Sequence, residues 1–219
     1  MSTQAAQPAP QSTSSSRPPV SLGQTTHLDP GAYVRGSHAI TLGEHSLVHP
    51  RAHLVAIHGP ISIGDGCIIS EKCVIGGPVQ GSASPGLPQS PETEHNESDP
   101  SKTTIGANVY IQANAQIHAG ATIQDAVLIE AHAVVLLGVT VGSHAKVCAG
   151  VTLERDLEDW AVVYGHGDVK RSRKPSADAG AEQADLVETV RLKAMDKERE
   201  GTAAILKLAS RMASVAKKK

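Results

Sequence analysis

The side chains in this sequence best equipped for chemistry are eleven histidines and three cysteines. An imidazole can hold zinc or take up a proton near neutral pH, and a thiolate can attack carbon or bind metal. His45, His49, His53 and His58 lie close together in the chain, and His118, His132 and His144 recur further on. Three imidazoles meeting at one point would build a zinc centre with a hydrolytic water. A single imidazole in a cleft would act as general base on an acceptor hydroxyl or amine. Cys67 and Cys73 do not form a Cys-x-x-Cys metal motif. Gly76-Gly77-Pro78 and Tyr164-Gly165-His166-Gly167 lack the Lys-Ser or Lys-Thr and the following helix of a phosphate loop.

What positions these residues is a repeat. From Ile105 an aliphatic returns at every sixth position: Ile105, Ile111, Ile117, Ile123, Ile129, Val135, Val141, Val147 and Leu153. A helix repeats at about 3.6 and a strand at about 2, so this period defines a solenoid. The frame extends upstream through Leu22, Leu28 and Val34, then Leu42, Val48 and Leu54, then Ile63, Ile69 and Ile75, with small slips near Ile40 and at Gly59-Pro60-Ile61. Four residues after each aliphatic stands a small residue such as Ala52, Cys67, Cys73, Ala115, Ala121 or Ala133. Such spacing describes short strands joined by tight corners. Three hexads make one coil of a parallel β-helix, about six to seven coils in all. The histidines fall at corners or outward positions of the coils, and no carboxylate singles one of them out. Cys67 and Cys73 are one period apart and stack as reduced, buried small hydrophobes, as does Cys148. By this reading there is no catalytic, cofactor-binding or metal-binding residue, and the chain is a scaffold.

Composition narrows the rest. A net charge of −2, no Phe, one Trp and three Tyr argue against a nucleic-acid partner, which needs basic and stacking surfaces. No apolar run reaches the ~18 residues of a membrane span or forms the core of a signal peptide, so the expected location is cytoplasmic with no direct membrane insertion. Residues 1–19 are mainly Ser, Thr, Gln, Pro and Ala and are expected to be disordered. The β-helix is expected over 20–167, interrupted at 77–103 by a polar, Pro-rich loop where Ser84 and Ser90 precede Pro85 and Pro91. A basic linker, 168–181, leads to a helical segment over 182–216.

In that segment Leu186, Val187, Val190 and Ala194 share one face, Gly201 weakens the helix, and Ala204, Ile205, Leu208, Ala209 and Met212 continue an apolar stripe. The segment either packs along the β-helix or is offered to another subunit. Candidate interface residues are Leu186, Val190, Ile205 and Leu208. Both ends of such a stack are open edges that need a cap or a partner. Leu22, Leu28 and Val34 at one edge and Leu153, Trp160 and Tyr164 at the other are the candidate docking contacts, with Trp160 expected to cover the last coil.

The hexapeptide pattern resembles that of left-handed β-helices, and the handedness follows from that resemblance. The stretch SLVHPRAHLVAIHGPISIGDGCIISEKCVI, the Pro- and acid-rich loop after it, the Ile105-Gly106-Ala107-Asn108-Val109 hexad and the ending Ala161-Val162-Val163-Tyr164-Gly165 before a basic segment and a helix resemble the dynactin subunit 6 family over roughly residues 20–212. The resemblance implies a non-catalytic β-helical subunit, without cofactor, associated with the cytoskeleton. It would pair with dynactin subunit 5 at the pointed end of the actin-like filament, beside the pointed-end actin-related protein and the large zinc-binding dynactin subunit. It would serve dynein-driven microtubule transport indirectly, through cargo such as endosomes. The alternative is a homotrimeric enzyme on the same fold, a hexapeptide-repeat acyltransferase or a γ-class carbonic anhydrase-like protein. The glycine-histidine motif of the latter is not found.

Overall fold

The computed structural model describes residues 18–77, 101–167, 169–173 and 181–216. The tail before residue 18, the loop 78–100 and residues 174–180 of the linker lie outside the described residues. The chain is a left-handed parallel β-helix of about six coils with one C-terminal helix. Its three faces take one strand per coil. Face A holds Val20–Leu22, Ile40–Leu42, Ile61–Ile63, Thr103–Ile105, Thr122–Ile123 and Thr140–Val141. Face B runs from His27–Leu28 to Lys146–Val147 and adds Ala161–Tyr164, and face C runs from Tyr33–Gly36 to Thr152–Leu153.

The six-residue period maps directly onto the register. Leu22 pairs with Leu42, then Ile63, Ile105, Ile123 and Val141. Leu54, Ile75, Ile117, Val135 and Leu153 form the matching column on face C. These ladders are the core: Ile69, Ile111, Ile117 and Ile129 are essentially inaccessible, so burial of stacked aliphatics drives the fold. Both slips and the long loop fall at the corner from face C to face A, where extra residues leave the ladders undisturbed.

The corners explain where several histidines sit. The third residue after an inward aliphatic takes positive φ, as at His45, Arg51, Lys72, Asn108, Asn114, Ala126, His132 and His144, with Gly66, Gly120, Gly138 and Gly150 in the same role. Asn, Asp and His are enriched in this left-handed region, so a corner selects them without a catalytic demand. Carboxylates tie corners together from one coil to the next. Asp65 accepts the Glu44 N–H at 2.7 Å, Asp125 the Ala107 N–H at 2.7 Å, and Asp159 the Ser143 N–H at 2.8 Å. Beside them a Cβ on Gly64 would stand 2.7 Å from the Gly106 backbone, so close coil stacking requires glycine there.

Two features of the ends differ from expectation. Val169–Ser172, within the segment read as a linker, is a strand antiparallel to Ala161–Tyr164. Its single aliphatic residue lies outside the repeat frame and leaves no periodic signal. Trp160 does not lid the last coil; it occupies a corner with φ 60°. The helix, Ala181–Ala216, passes unbroken through Gly201, where an added Cβ would meet nothing. A solvent-facing glycine weakens a helix without obstructing it.

Candidate functional site

The site of densest chemistry lies where the helix meets face B. Trp160 and His144 occupy the same kind of corner one coil apart, so their rings project in parallel and stack at 4.3 Å and 18°. Glu188 of the helix is 2 % exposed and points at this corner. One of its oxygens lies 3.1 Å from His144 Nδ1. Arg173 donates to the carboxylate at 2.5 Å, and Arg191 donates twice, at 2.5 Å and 3.0 Å. Burial opposes ionisation of this carboxyl, but the hydrogen bonds of Arg191 and His144 and the charges of Arg191 and Arg173 outweigh it and hold the pKa down at about 2. Arg191 also donates to the Ala126 carbonyl at 2.6 Å, and Arg173 lies over the Trp160 ring at 6.0 Å. Next to the cluster is a cleft of about 680 Å³ lined by Trp160, Tyr164, Arg171, Arg173 and Val187 among others.

Chemically this is a histidine oriented by an ionised carboxylate. With Nδ1 engaged by Glu188, Nε2 is the nitrogen left to exchange a proton, the arrangement of a general base. The same cluster is also a clamp, because Glu188 ties the helix to two successive corners through His144, Arg173 and Arg191.

From the clamp the helix runs back along face B toward the first coil. Met195 packs on Leu47 and Ile68 with Tyr110, Ala203 and Leu206 around them. The Tyr110 hydroxyl donates to Glu198 at 2.5 Å, and burial, together with that carboxylate, pushes its pKa up to about 12. Arg199 donates to the Gly66 carbonyl at 3.1 Å. A second cleft, about 510 Å³, opens between the helix and the first coils, lined by His27, His45, Arg199 and Lys207 among others. Burial lowers the pKa of His27, partly offset by Asp29, and its Nε2 has no hydrogen-bond partner.

The remaining candidates are dispersed. His53 stacks on Tyr33 at 4.7 Å, His58 is exposed, and burial lowers the pKa of His49 and of half-exposed His118. Among the described residues no three His, Cys, Asp or Glu side chains are grouped to hold one metal ion. Burial raises the Cys67 and Cys73 thiols to about 12. Of the proposed edge contacts, Leu22 and Tyr164 are exposed, Leu28, Val34 and Trp160 are half-buried, and Leu153 is buried. Leu153 is therefore not a docking contact: its side chain completes the inward column of face C. Leu186, Val190, Ile205 and Leu208 are all exposed.

The expectation that no carboxylate singles out a histidine fails at His144, which Glu188 engages. The two are 44 residues apart, and only the path of the helix along face B brings them together. Nothing in the local sequence of either signals it.

A solenoid of hexapeptide repeats with a clamped C-terminal helix defines the class. Residues 102–137 match the family model described as bacterial transferase hexapeptide (six repeats). No curated protein matches the chain. Among solved structures it is similar to a hexapeptide transferase family protein from Anaplasma phagocytophilum, at TM-score 0.59 and 14% identity, over 83% of this chain and 92% of that one. It is also similar to a putative acetyltransferase from Bacillus cereus, at TM-score 0.52 and 14% identity, again over 83% and 92%. At such identity the likeness establishes the shared fold. One expectation is corrected: a hexapeptide solenoid does not imply a non-catalytic chain, because residues 102–137 fit a repeat model described for bacterial transferases and the two solved structures that share the fold are a hexapeptide transferase family protein and a putative acetyltransferase. Among the described residues no helix is long and apolar enough to cross a membrane.

Proposed function

We propose that this chain is an assembly subunit of the dynactin pointed end, docking through the outer side of its helix. The observation that carries the proposal is a helix apolar on two sides. At about 100° per residue, Met195 and Leu206 lie on the sheet-facing side with Glu188, Arg191 and Arg199. Leu186, Val190, Ile205, Leu208 and Met212 lie on another side, each 59–67 % exposed. A helix already buried on one side has no need of a second apolar row unless a further surface covers it. The resemblance of the sequence to the dynactin subunit 6 family supplies the partners. They are dynactin subunit 5, the pointed-end actin-related protein and the large zinc-binding subunit, in a cytoskeletal complex that serves dynein-driven transport and endosome attachment. Co-expression with dynactin subunit 5 tests this. A stable heterodimer is expected, lost when Ile205 and Leu208 are both replaced by Asp while the melting temperature is kept. Failure of the unaltered pair to associate would contradict it.

A second reading, hexapeptide-type acyl transfer, is favoured by the His144–Glu188 pair beside the cleft at Trp160, and the likeness to a hexapeptide transferase family protein and a putative acetyltransferase supports it better than the first. In this reading Glu188 fixes the tautomer of His144, and Nε2 takes the proton of an acceptor hydroxyl or amine as it attacks an acyl thioester. Thiol release from acetyl-coenzyme A in the presence of amino-sugar acceptors, abolished by His144→Ala, is the expected result. Equal rates in wild type and variant would dismiss it. Docking and catalysis are compatible in one chain.

A further inference from the structure

The strand Val169–Ser172 closes face B, and all four of its residues are exposed. Hydrogen bonds of its neighbour show which of its backbone groups are engaged. The Cys148 N–H donates to the Val163 carbonyl at 3.0 Å, so the Val163 backbone points to the preceding coil. In an extended strand the groups of Val162 and Tyr164 then point the opposite way, toward Arg171 and Val169, their partners in the antiparallel register. The Arg173 N–H to the Trp160 carbonyl at 2.8 Å continues the same alternation. The backbone N–H and C=O of Lys170 are therefore directed away from the sheet, and among the described residues no strand follows.

We propose that this edge accepts an extended acidic segment of a partner protein as a further strand of face B, a surface separate from the outer row of the helix. Edge addition takes affinity from main-chain hydrogen bonds and specificity from alternate side chains. The strand carries Lys170 and Arg171 and no acid. Arg173 is engaged by Glu188, and Lys170 reaches the Asp156 carbonyl at 3.3 Å on the other surface. Exposed Arg171 lines the 680 Å³ cleft with Trp160, Tyr164 and Val187. Every second side chain of an added strand would face that surface, where a carboxylate meets the Arg171 fork and its neighbours rest on the aromatic rings. Basic residues also protect an edge against aggregation. Such protection does not call for an aromatic cleft beside the edge.

The test uses the full chain and two peptides of about strand length (~6 residues), one alternating Thr and Glu, the other Thr and Lys. Saturable binding of the acidic peptide is expected, with slowed amide exchange at Lys170. Arg171→Glu should weaken binding roughly tenfold at an unchanged melting temperature. Equal binding of both peptides, no saturable binding, or binding that leaves Lys170 exchange unchanged would overturn the proposal. So would a Lys170 amide already protected in the free chain, which would mean that the edge is covered by the chain's own residues.

Discussion

Glu188, a single buried side chain, ties the helix to both His144 and Arg173. Its folded pKa of about 2 lies below the ordinary 4.5, so its contribution is complete above pH ~4.5 and is lost as pH falls toward 2. That shift corresponds to roughly 3 kcal/mol. Glu44, which accepts the N–H groups of Gln24 and Thr25 and the Thr25 hydroxyl, is also lowered to about 2 by those bonds, so the first coils weaken over the same window. A thermal unfolding series should therefore show the melting temperature dropping between pH 4.5 and 2. Glu188→Gln should cost about 3 kcal/mol in chemical denaturation, because Arg173 and Arg191 lose a buried counter-charge. The cysteines give an independent check on burial. With Cys67 and Cys73 enclosed and Cys148 half-buried, a thiol reagent should modify Cys148 first and the other two only on unfolding.

At the scale of elements, the columns of the solenoid were legible because each inward aliphatic is a separate statement of the same period, from Leu22 to Leu153. Val48→Asp or Ile111→Asp should unfold coils at a cost above about 4 kcal/mol, read as loss of the cooperative transition. Gly64→Ala should cost about 1–3 kcal/mol, since its Cβ meets the backbone of the next coil rather than a movable side chain. What stayed hidden depends on contacts between distant segments. The apolar stripe of the helix was visible, but not that its sheet-facing side is built from Glu188, Arg191, Met195, Arg199 and Leu206. Polar residues on that side are paid for by carbonyls and carboxylates that only the fold supplies. The strand Val169–Ser172 was hidden for the related reason that antiparallel pairing follows no hexad. His144 was read correctly as a corner residue, yet its partner could not be read, because a corner φ says nothing about what packs outside it.

For the whole molecule, the three faces are unequal, and the inequality bears on function. Face B is covered by the chain's own helix, which then turns a second apolar row outward. Face A presents a column of hydroxyls, Ser21, Thr41, Ser62, Thr104, Thr122 and Thr140, without a charge. Exposed Tyr33, Ile57 and Leu137 add apolar surface elsewhere. A molecule with this much uncovered apolar helix is expected to function inside a larger particle. Mild affinity purification of the tagged full chain from its own cells, with the composition and stoichiometry of the particle read by mass spectrometry, tests that most directly. The account predicts near-equal amounts of dynactin subunit 5, the pointed-end actin-related protein and the large zinc-binding subunit. Recovery of the chain alone, as a homotrimer, would contradict it.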